Sequence, residues 1–161
     1  MVTEKDIWAY LEEVSDPEIP VLTVVDLGVI RSVSLTNELC TIVITPTYSG
    51  CPAMKVIEDD IITLLKEKGI PNIKVELTLY PAWTTDWLTE NGKSKLREYG
   101  IAPPENEVDK SVLFSEPTVV PCPLCKSKNT RMISQFGSTA CKAHHQCNDC
   151  LEPFDYFKCL K

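Results

Sequence analysis

Two pairs of cysteines near the C-terminal end constrain the fold of this chain more than any other feature of its sequence. The pairs are "CPLC" at 122–125 and "CNDC" at 147–150, and 21 residues separate them. Each C-x2-C turn presents two thiolates from one tight knuckle, and two facing knuckles complete a tetrahedron with no open position. The spacing therefore predicts a structural zinc site in a small β ribbon, with a redox or iron-bearing thiol cluster as the alternative. The predicted zinc ligands are Cys122, Cys125, Cys147 and Cys150.

Two thiols and two imidazoles in the same region exceed the four ligands that a structural zinc ion takes. Cys141 and Cys159 fit either burial as small apolar residues or a second thiolate site that uses both of them. His144 and His145 are expected to be exposed residues of a hairpin, because four cysteines already fill a soft zinc site. Spacing alone does not decide whether any of these four residues binds metal.

The distribution of charge and of cysteine separates an acidic body from a cysteine-rich tail. The chain of 161 residues has a formal net charge of −7. Residues 1–109 hold 9 Lys/Arg and 19 Asp/Glu, a net charge of −10, whereas residues 110–161 carry +3. An acidic body argues against a nucleic-acid partner. Six of the eight cysteines follow residue 121, which leaves only Cys40 and Cys51 in the body.

The compartment can be predicted from the start of the chain and from its apolar segments. The first residues lack a basic region followed by an apolar one, and no segment approaches the roughly 18 apolar residues of a membrane span. We therefore expect a cytoplasmic protein with no membrane partner. In a reducing cytosol, paired cysteines act as thiols or metal ligands rather than as structural disulfides.

Hydrophobic periodicity predicts an α+β fold that begins with the order α-β-β-α-β. Apolar residues at helical spacing indicate a first helix within 3–14 and a second helix from 52 to 69. Strands at about 29–35 and 39–47 form a hairpin around Asn37. The segment "NIKVELTLYP" alternates apolar and polar residues, as a half-buried strand does.

The rest of the chain is predicted to hold two short helices, a linker and the ribbon. The helices are expected at about 84–90 and 93–99. Three prolines and several acidic residues mark 103–117 as a linker. The chain therefore divides into a first domain over 1–102, the linker, and a zinc ribbon over 118–161 with strand-like segments "TRMISQF" and "EPFDYFKC".

Cys51 has an unusual setting, because it lies between Gly50 and Pro52 where an apolar strand changes to a helix. Proline suits the first helical position and glycine permits a sharp turn. The positive end of the helix dipole is expected to lower the pKa of the Cys51 thiol and stabilise the thiolate. The alternative is a small residue at a tight turn, and Cys40 is expected in the core.

Two common kinds of cysteine chemistry can be excluded for a thiolate at Cys51. A cysteine–histidine hydrolase needs an imidazole base, but residues 1–121 contain no histidine. A redox site of the C-x-x-C type is excluded because the stretch "SGCPAM" holds no second cysteine. Metal or cluster handling remains, and one cysteine cannot complete a cluster. Either two chains share a site as a homodimer, or the ligand set is incomplete and the metal is passed on.

Three acidic residues are candidates for shaping the Cys51 site. Asp16 and Glu18 belong to "DPEIP", and Asp26 belongs to "DLG". The alternative is turn chemistry, in which an aspartate hydrogen-bonds to its local backbone. The sequence favours neither interpretation.

Several of these motifs resemble known families. "SDPEIPVLTVVDLGVI", "TPTYSGCPAM" and the α-β-β-α-β order resemble the SufT-like iron–sulfur assembly family over about the first 80 residues. The stretches "LYPAWTTDW", "GIAPP" and "CPLCKSKNT…SQFGSTACKAHHQCNDCLEPFDYFKC" resemble the PaaD family, the D components associated with ring-1,2-phenylacetyl-CoA epoxidase of phenylacetate degradation. Lys126 stands where a glycine is common, and "AHHQ" departs from the pattern, so His144 and His145 inherit no role.

The resemblance implies a non-catalytic accessory or maturation factor. Cys51 matches the family's iron–sulfur ligand, and Asp16 and Asp26 match the surrounding motif. The implied cofactors are structural zinc and a transient iron–sulfur cluster. The implied partners are components of the epoxidase, above all its reductase, which carries flavin and an iron–sulfur cluster.

Two other classes of function stay open. An electron-carrying subunit of the oxygenase would hold a stable cluster on more than one cysteine. In a structural adaptor, the ribbon and the tryptophans Trp83 and Trp87, placed on one helical face by their spacing, would bind partner proteins and Cys51 would be inert. The alternative for the two tryptophans is packing in the core.

Overall fold

The first part of the chain has the predicted α-β-β-α-β order. The computed structural model describes residues 1–104 and 119–157, which form two compact units that divide after Gly92. The elements of the first unit are α1 (Glu4–Leu11), β1 (Ile30–Thr36), β2 (Leu39–Ile44), α2 (Ala53–Glu67) and β3 (Asn72–Leu77). The α+β fold class is therefore confirmed.

Short-range interactions explain where α1 and the β1–β2 hairpin begin and end. Thr3 accepts a hydrogen bond from the Asp6 N–H (3.3 Å), and the Asp6 carboxylate accepts one from the Thr3 N–H (2.8 Å). These reciprocal bonds form a capping box, which satisfies amides that the first turn leaves free. Asn37 and Glu38 both have positive φ angles (49° and 67°), as the two central residues of a type I′ hairpin turn do.

The first sheet brings one end of two strands beside the Cys51 loop. Its order is β1-β2-β3, with β1 antiparallel and β3 parallel to β2. A parallel pair needs a crossover, and α2 supplies it with Ile57, Ile61 and Leu65 buried. Ile44 pairs with Leu77 at the C-terminal ends of β2 and β3. The loop that follows β2 at this end of the sheet contains Cys51.

The segment after β3 packs through one tryptophan rather than through a predicted helix. Trp83 is buried, and its indole N–H donates to the Leu27 carbonyl (2.9 Å). The helix expected at 84–90 is a single 3-10 turn, Thr85–Trp87. The two tryptophans therefore do not share an α-helical face. The Arg31 guanidinium lies 3.4 Å from the centre of the Trp87 ring. The helix α3 (Glu90–Tyr99) follows.

The second unit contains a four-stranded sheet of order β4-β7-β6-β5. Its strands are β4 (Ile101–Ala102), β5 (Thr130–Ser134), β6 (Lys142–Cys147) and β7 (Pro153–Phe157). The β5–β6 and β6–β7 pairs are antiparallel, whereas β4 is parallel to β7. This arrangement confirms the predicted β ribbon and adds β4 and β6 to it. A small core fills it: Ala102, Val120, Cys122, Ala143, Cys147, Phe154 and Tyr156.

The division into domains at 102 and 118 stays a prediction. Ile101 and Ala102, assigned by sequence to the first domain, pair with β7 of the ribbon sheet. The predicted linker over 103–117 lies almost entirely outside the described residues. Within 1–104 and 119–157, none of the helices combines the length and the apolar character that crossing a bilayer requires.

Gly28 provides a test of the packing between the segment that precedes β1 and the segment after β3. It has a φ of +72°, and a Cβ added to it would lie 2.3 Å from the Trp87 carbonyl oxygen. We expect Gly28→Ala to lower the free energy of unfolding by about 3 kcal/mol, because the left-handed backbone strain and the overpacking add. Gly69→Ala is the control, since its φ is +88° but nothing lies within 4 Å of the added carbon.

Denaturant titration followed by tryptophan fluorescence measures this difference in the first unit alone, because Trp8, Trp83 and Trp87 all lie before residue 93. The control should lose about 1 kcal/mol from backbone strain. Equal losses of stability in the two variants would show that the Trp87 segment moves to accommodate the added carbon with no loss of free energy, and would contradict the prediction.

Candidate functional site

The four predicted zinc ligands converge at one point of the second unit. The sulfur atoms of Cys122, Cys125, Cys147 and Cys150 all lie within 4.8 Å of one another. The Cys122–Cys150 sulfur distance is 3.8 Å, and the Cys125–Cys147 distance is 3.5 Å. Zinc–sulfur bonds of about 2.3 Å in a tetrahedron place the sulfurs about 3.8 Å apart. The donor set and its dimensions therefore fit a four-coordinate soft metal ion.

Each knuckle turns through a residue in the left-handed conformation. Lys126 (φ 65°) follows Cys125, and Leu151 (φ 64°) follows Cys150. After the first turn, the Cys122 N–H donates to the Ser127 carbonyl (2.9 Å). A positive φ is a conformation that glycine adopts more readily than lysine. The lysine stays compatible with the turn, and its ammonium donates to the Pro123 carbonyl (2.7 Å).

The thiols of Cys147 and Cys150 have pKa values that differ widely. Hydrogen bonds from the backbone N–H groups of Cys150 and Asp149, despite burial, lower the pKa of Cys147 to about 7. The N–H of Glu152 lowers the pKa of Cys150, but desolvation and the neighbouring thiols together raise it to about 12. Four thiolates this close repel one another, so a divalent cation must replace the protons.

The histidine prediction is wrong for His145. His145 belongs to β6 and is buried, with its ring stacked on Phe154 (5.7 Å between centres) and edge-on to Tyr156 (5.5 Å). Its Nδ1 has no hydrogen-bond partner among the residues that the structure describes, and burial lowers its pKa. The missed signal is a two-residue period, since Ala143, His145 and Cys147 alternate into the core. His144 is half-buried, with Nδ1 3.3 Å from an Asp155 carboxylate oxygen.

The two surplus cysteines have separate outcomes. Cys141 is buried, and its sulfur lies 3.0 Å from the Thr139 hydroxyl. Burial agrees with the apolar interpretation of Cys141. Cys159 lies outside the described residues, so a second thiolate site that uses both cysteines stays a prediction.

Cys51 lies in the loop that connects β2 to α2. Its N–H donates to the Tyr48 carbonyl (3.2 Å), and its own carbonyl accepts from the Met54 N–H (3.3 Å). Pro52 is the N-cap of α2 rather than its first residue, so the cysteine stands outside the helix. The side chain is half-buried, and Cys40 in β2 is fully buried as expected.

The expected lowering of the pKa of Cys51 is wrong. Burial raises the pKa of the Cys51 thiol, and the Glu18 carboxylate adds to the increase. The Ala53 N–H and the hydroxyls of Tyr48 and Thr47 act in the opposite direction without cancelling it. Desolvation of the charged form therefore outweighs the hydrogen bonds that favour the thiolate.

The three acidic candidates have different surroundings. Asp16 accepts hydrogen bonds from the N–H groups of Glu18 (2.8 Å) and Ile19 (2.7 Å), which is turn chemistry. Glu18 receives the Tyr48 hydroxyl at 3.4 Å and so reaches the Cys51 loop. Asp26 accepts from the Thr89 hydroxyl (3.0 Å) and the Asn91 amide (3.1 Å). Their roles in shaping a site stay predictions.

The two halves of the chain match different family models. Residues 4–77 match the iron–sulfur cluster assembly protein model, and residues 106–158 match the PaaD zinc β-ribbon domain. The crystal structure of a DUF59 domain, of unknown function, from Bacillus anthracis superposes with a TM-score of 0.55 and 29% identity. That match covers 58% of this chain and 90% of the other.

Two relatives extend the match. A protein of Porphyromonas gingivalis named Fe-S protein maturation auxiliary factor is 38% identical over 96 residues, which are 58% of this chain and 90% of that protein. A protein of Escherichia coli K12, named as the D component of 1,2-phenylacetyl-CoA epoxidase, is 50% identical over 155 residues. This second match covers 96% of this chain and 92% of the relative.

Fold and site together define a class of protein in which an iron–sulfur cluster assembly domain is joined to a four-cysteine ribbon. The match to the Escherichia coli protein includes both domains, so it identifies the family more specifically than either family model alone. The chain belongs to the PaaD family, the D components of 1,2-phenylacetyl-CoA epoxidase.

Stripping the metal from the full chain should unfold the ribbon and spare the first unit. The ribbon core is small and includes two of the ligands, so the free energy of metal binding is mainly its free energy of folding. We expect fast hydrogen exchange over 119–157 after chelation, measured by mass spectrometry. Tryptophan fluorescence, which reports only the first unit, is the internal control. Unchanged exchange in fully metal-free protein would contradict this prediction.

The pH dependence of alkylation tests the environment of Cys51. The thiolate is the reactive form, so a raised pKa means that alkylation by iodoacetamide reaches half its maximal rate above the ordinary cysteine value of about 8.5. Glu18→Gln should move this midpoint down, because an anion is removed. Tyr48→Phe should move it up, because a hydrogen bond that favours the thiolate is lost. Peptide mass spectrometry follows the rate, and a midpoint below pH 8 in the parent chain would restore the helix-dipole interpretation.

Proposed function

We propose that this protein is a cytoplasmic, non-catalytic accessory factor that handles iron–sulfur clusters for the phenylacetyl-CoA epoxidase system. The proposed recipient is the reductase component with its flavin and iron–sulfur cluster. The names of the relatives support maturation of iron–sulfur proteins and association with the epoxidase. The single observation that carries the proposal is Cys51, a half-buried thiol in a polar loop within the part that matches the cluster assembly family.

The surroundings of Cys51 suit a ligand that binds and releases its cargo. At neutral pH the thiol keeps its proton, because burial and Glu18 disfavour the thiolate. An iron–sulfur cluster that arrives as cargo displaces this proton, and the Ala53 N–H and the Tyr48 hydroxyl then stabilise the bound sulfur. A cluster held by one cysteine per chain keeps other positions open for the recipient or for a second copy in a homodimer.

The ribbon has a different part in this proposal. Four thiolates close the coordination sphere of zinc, so the ion has no open position for a substrate. We assign zinc a structural role, in which Cys122, Cys125, Cys147 and Cys150 hold the ion and the ion holds the small core together. The ribbon then provides a stable surface for a partner protein.

A structural adaptor is the second candidate, and exposed apolar side chains favour it. Leu77, Leu79 and Tyr80 are 57%, 62% and 87% exposed at the end of β3. Ile44 and Leu77 pair at the C-terminal ends of β2 and β3, and the Cys51 loop begins at the same end of the sheet. A surface of this kind fits a partner protein whether or not Cys51 takes part. An electron-carrying subunit, the remaining alternative, requires a stable cluster.

Anaerobic reconstitution separates these functions. The parent chain, Cys51→Ser and the control Cys141→Ser are incubated with iron and sulfide, and bound iron, sulfide and zinc are then measured. We expect zinc in all three proteins and labile iron in the parent and the control only. Serine keeps the size of the side chain, so Cys51→Ser should lose about 1 kcal/mol of stability or less.

Transfer to the recipient is the decisive measurement. The cluster content of the epoxidase reductase, produced in cells with each variant, should fall with Cys51→Ser and stay at the parental level with Cys141→Ser. Full loading of the reductase by Cys51→Ser would overturn the proposal and favour the adaptor. A coloured cluster that stays bound to the purified chain during prolonged incubation with the reductase would favour electron transfer instead.

A further inference from the structure

Four polar residues tie the two cysteine knuckles together. This polar clasp consists of Ser127, Asn129, Asn148 and Asp149. The Asp149 carboxylate accepts one hydrogen bond from the Ser127 hydroxyl and another from the Asn129 side-chain amide (2.7 Å). Asn148 adds a side-chain bond to Asn129 (3.1 Å) and a backbone bond to the Asn129 carbonyl (2.8 Å). The chain that follows the first knuckle is therefore bound to the middle of the second.

The clasp acts on the separation of the two pairs of sulfurs. Asp149 lies between the ligands Cys147 and Cys150, and Ser127 lies two residues after Cys125. Ser127 is also held by its own knuckle, because its carbonyl accepts from the Cys122 N–H and its hydroxyl accepts from the Asn129 N–H (3.0 Å). The knuckles thus keep a spacing that suits a tetrahedral ion through bonds that include no sulfur.

Charge alone does not explain an aspartate at this position. A zinc ion with four thiolates carries a net charge of −2, and a carboxylate beside it is repelled. A hydrogen-bonding role explains the residue better, because a carboxylate has two oxygens that accept from two donors at once. Asp149 uses both oxygens in this way, one for Ser127 and one for Asn129.

We infer that Asp149 is a positioning residue for the metal of the ribbon, which fixes the two knuckles relative to each other at the coordinating distance in the folded ribbon. The inference rests on the proposal that the four cysteines bind zinc. Outer hydrogen bonds that hold the ligands in place make the bound state more stable and release of the ion slower, and loss of such an outer partner costs about 10–100-fold in affinity. Asp149 thereby sets how firmly the ribbon holds its ion.

Three variants of the full chain separate geometry from charge. Asp149→Ala removes both accepting oxygens. Asp149→Asn removes the charge but can keep the clasp, since its oxygen accepts from the Asn129 amide and its NH2 group donates to the Ser127 hydroxyl. Glu152→Ala removes an exposed carboxylate two residues beyond Cys150 and is the matched control for charge. Ser127→Ala, which deletes one of the two donors, replaces Asp149→Ala if that variant does not fold.

The experiment uses cobalt(II) as a probe and zinc as a competitor at one pH. The visible d–d bands of cobalt report tetrahedral thiolate ligation, and transfer of zinc to a chromophoric chelator gives the release rate. We expect Asp149→Ala to bind about 10–100-fold more weakly and to release zinc faster by a similar factor. Asp149→Asn and Glu152→Ala should stay within about threefold of the parent, with the same d–d spectrum at saturation.

Each other result contradicts the inference in a distinct way. An affinity of Asp149→Ala, or of its substitute Ser127→Ala, within threefold of the parent would overturn the positioning role. Equal losses in Asp149→Ala and Asp149→Asn would assign the effect to charge, and an equal loss in Glu152→Ala would assign it to the net charge of the region. A parent chain that binds no cobalt and no zinc would instead overturn the zinc proposal on which the inference rests.

Discussion

The ribbon depends on the convergence of four thiols, because two of these thiols are also part of its core. Cys122 and Cys147 are completely buried, and they pack with Val120, Ala143 and Phe154 among the few other core residues. A sheet of four short strands buries little apolar surface, so burial alone stabilises it weakly. We therefore expect metal binding and folding to be one equilibrium in this part of the chain. The left-handed turns shape the two knuckles, and the polar clasp connects the knuckles around the four sulfur atoms.

The first unit is stabilised differently, and this difference determines the chemistry of Cys51. Large aliphatic side chains such as Ile42, Ile57 and Leu65 fill its core. Cys51 lies at the margin of that core, where β2 ends and the backbone turns into α2. Partial burial raises the pKa of its thiol above the ordinary value. In the proposed role, the cargo must displace the proton, so the thiol is protected while no cargo is bound.

One turn connects the two acidic residues of the "DPEIP" motif. Asp16 binds the N–H groups of Glu18 and Ile19 and so fixes the turn. The same turn directs Glu18 toward the Tyr48 hydroxyl and the Cys51 loop. Asp26 instead anchors the segment after Trp87 through Thr89. Asp16 therefore folds the backbone that presents Glu18 to the Cys51 loop.

The sequence by itself determined what depends on neighbours along the chain. The capping box at Thr3, the turn at Asn37 and the two C-x2-C knuckles follow from short-range chemistry, and α-β-β-α-β follows from periodicity. Tertiary structure decided the rest. Packing against two aromatic rings of β7 places His145 in the core, while β4 exists only because β7 offers it a free edge. The pKa of Cys51 likewise depends on burial and on Glu18, and these are set by contacts between distant segments that no local pattern encodes.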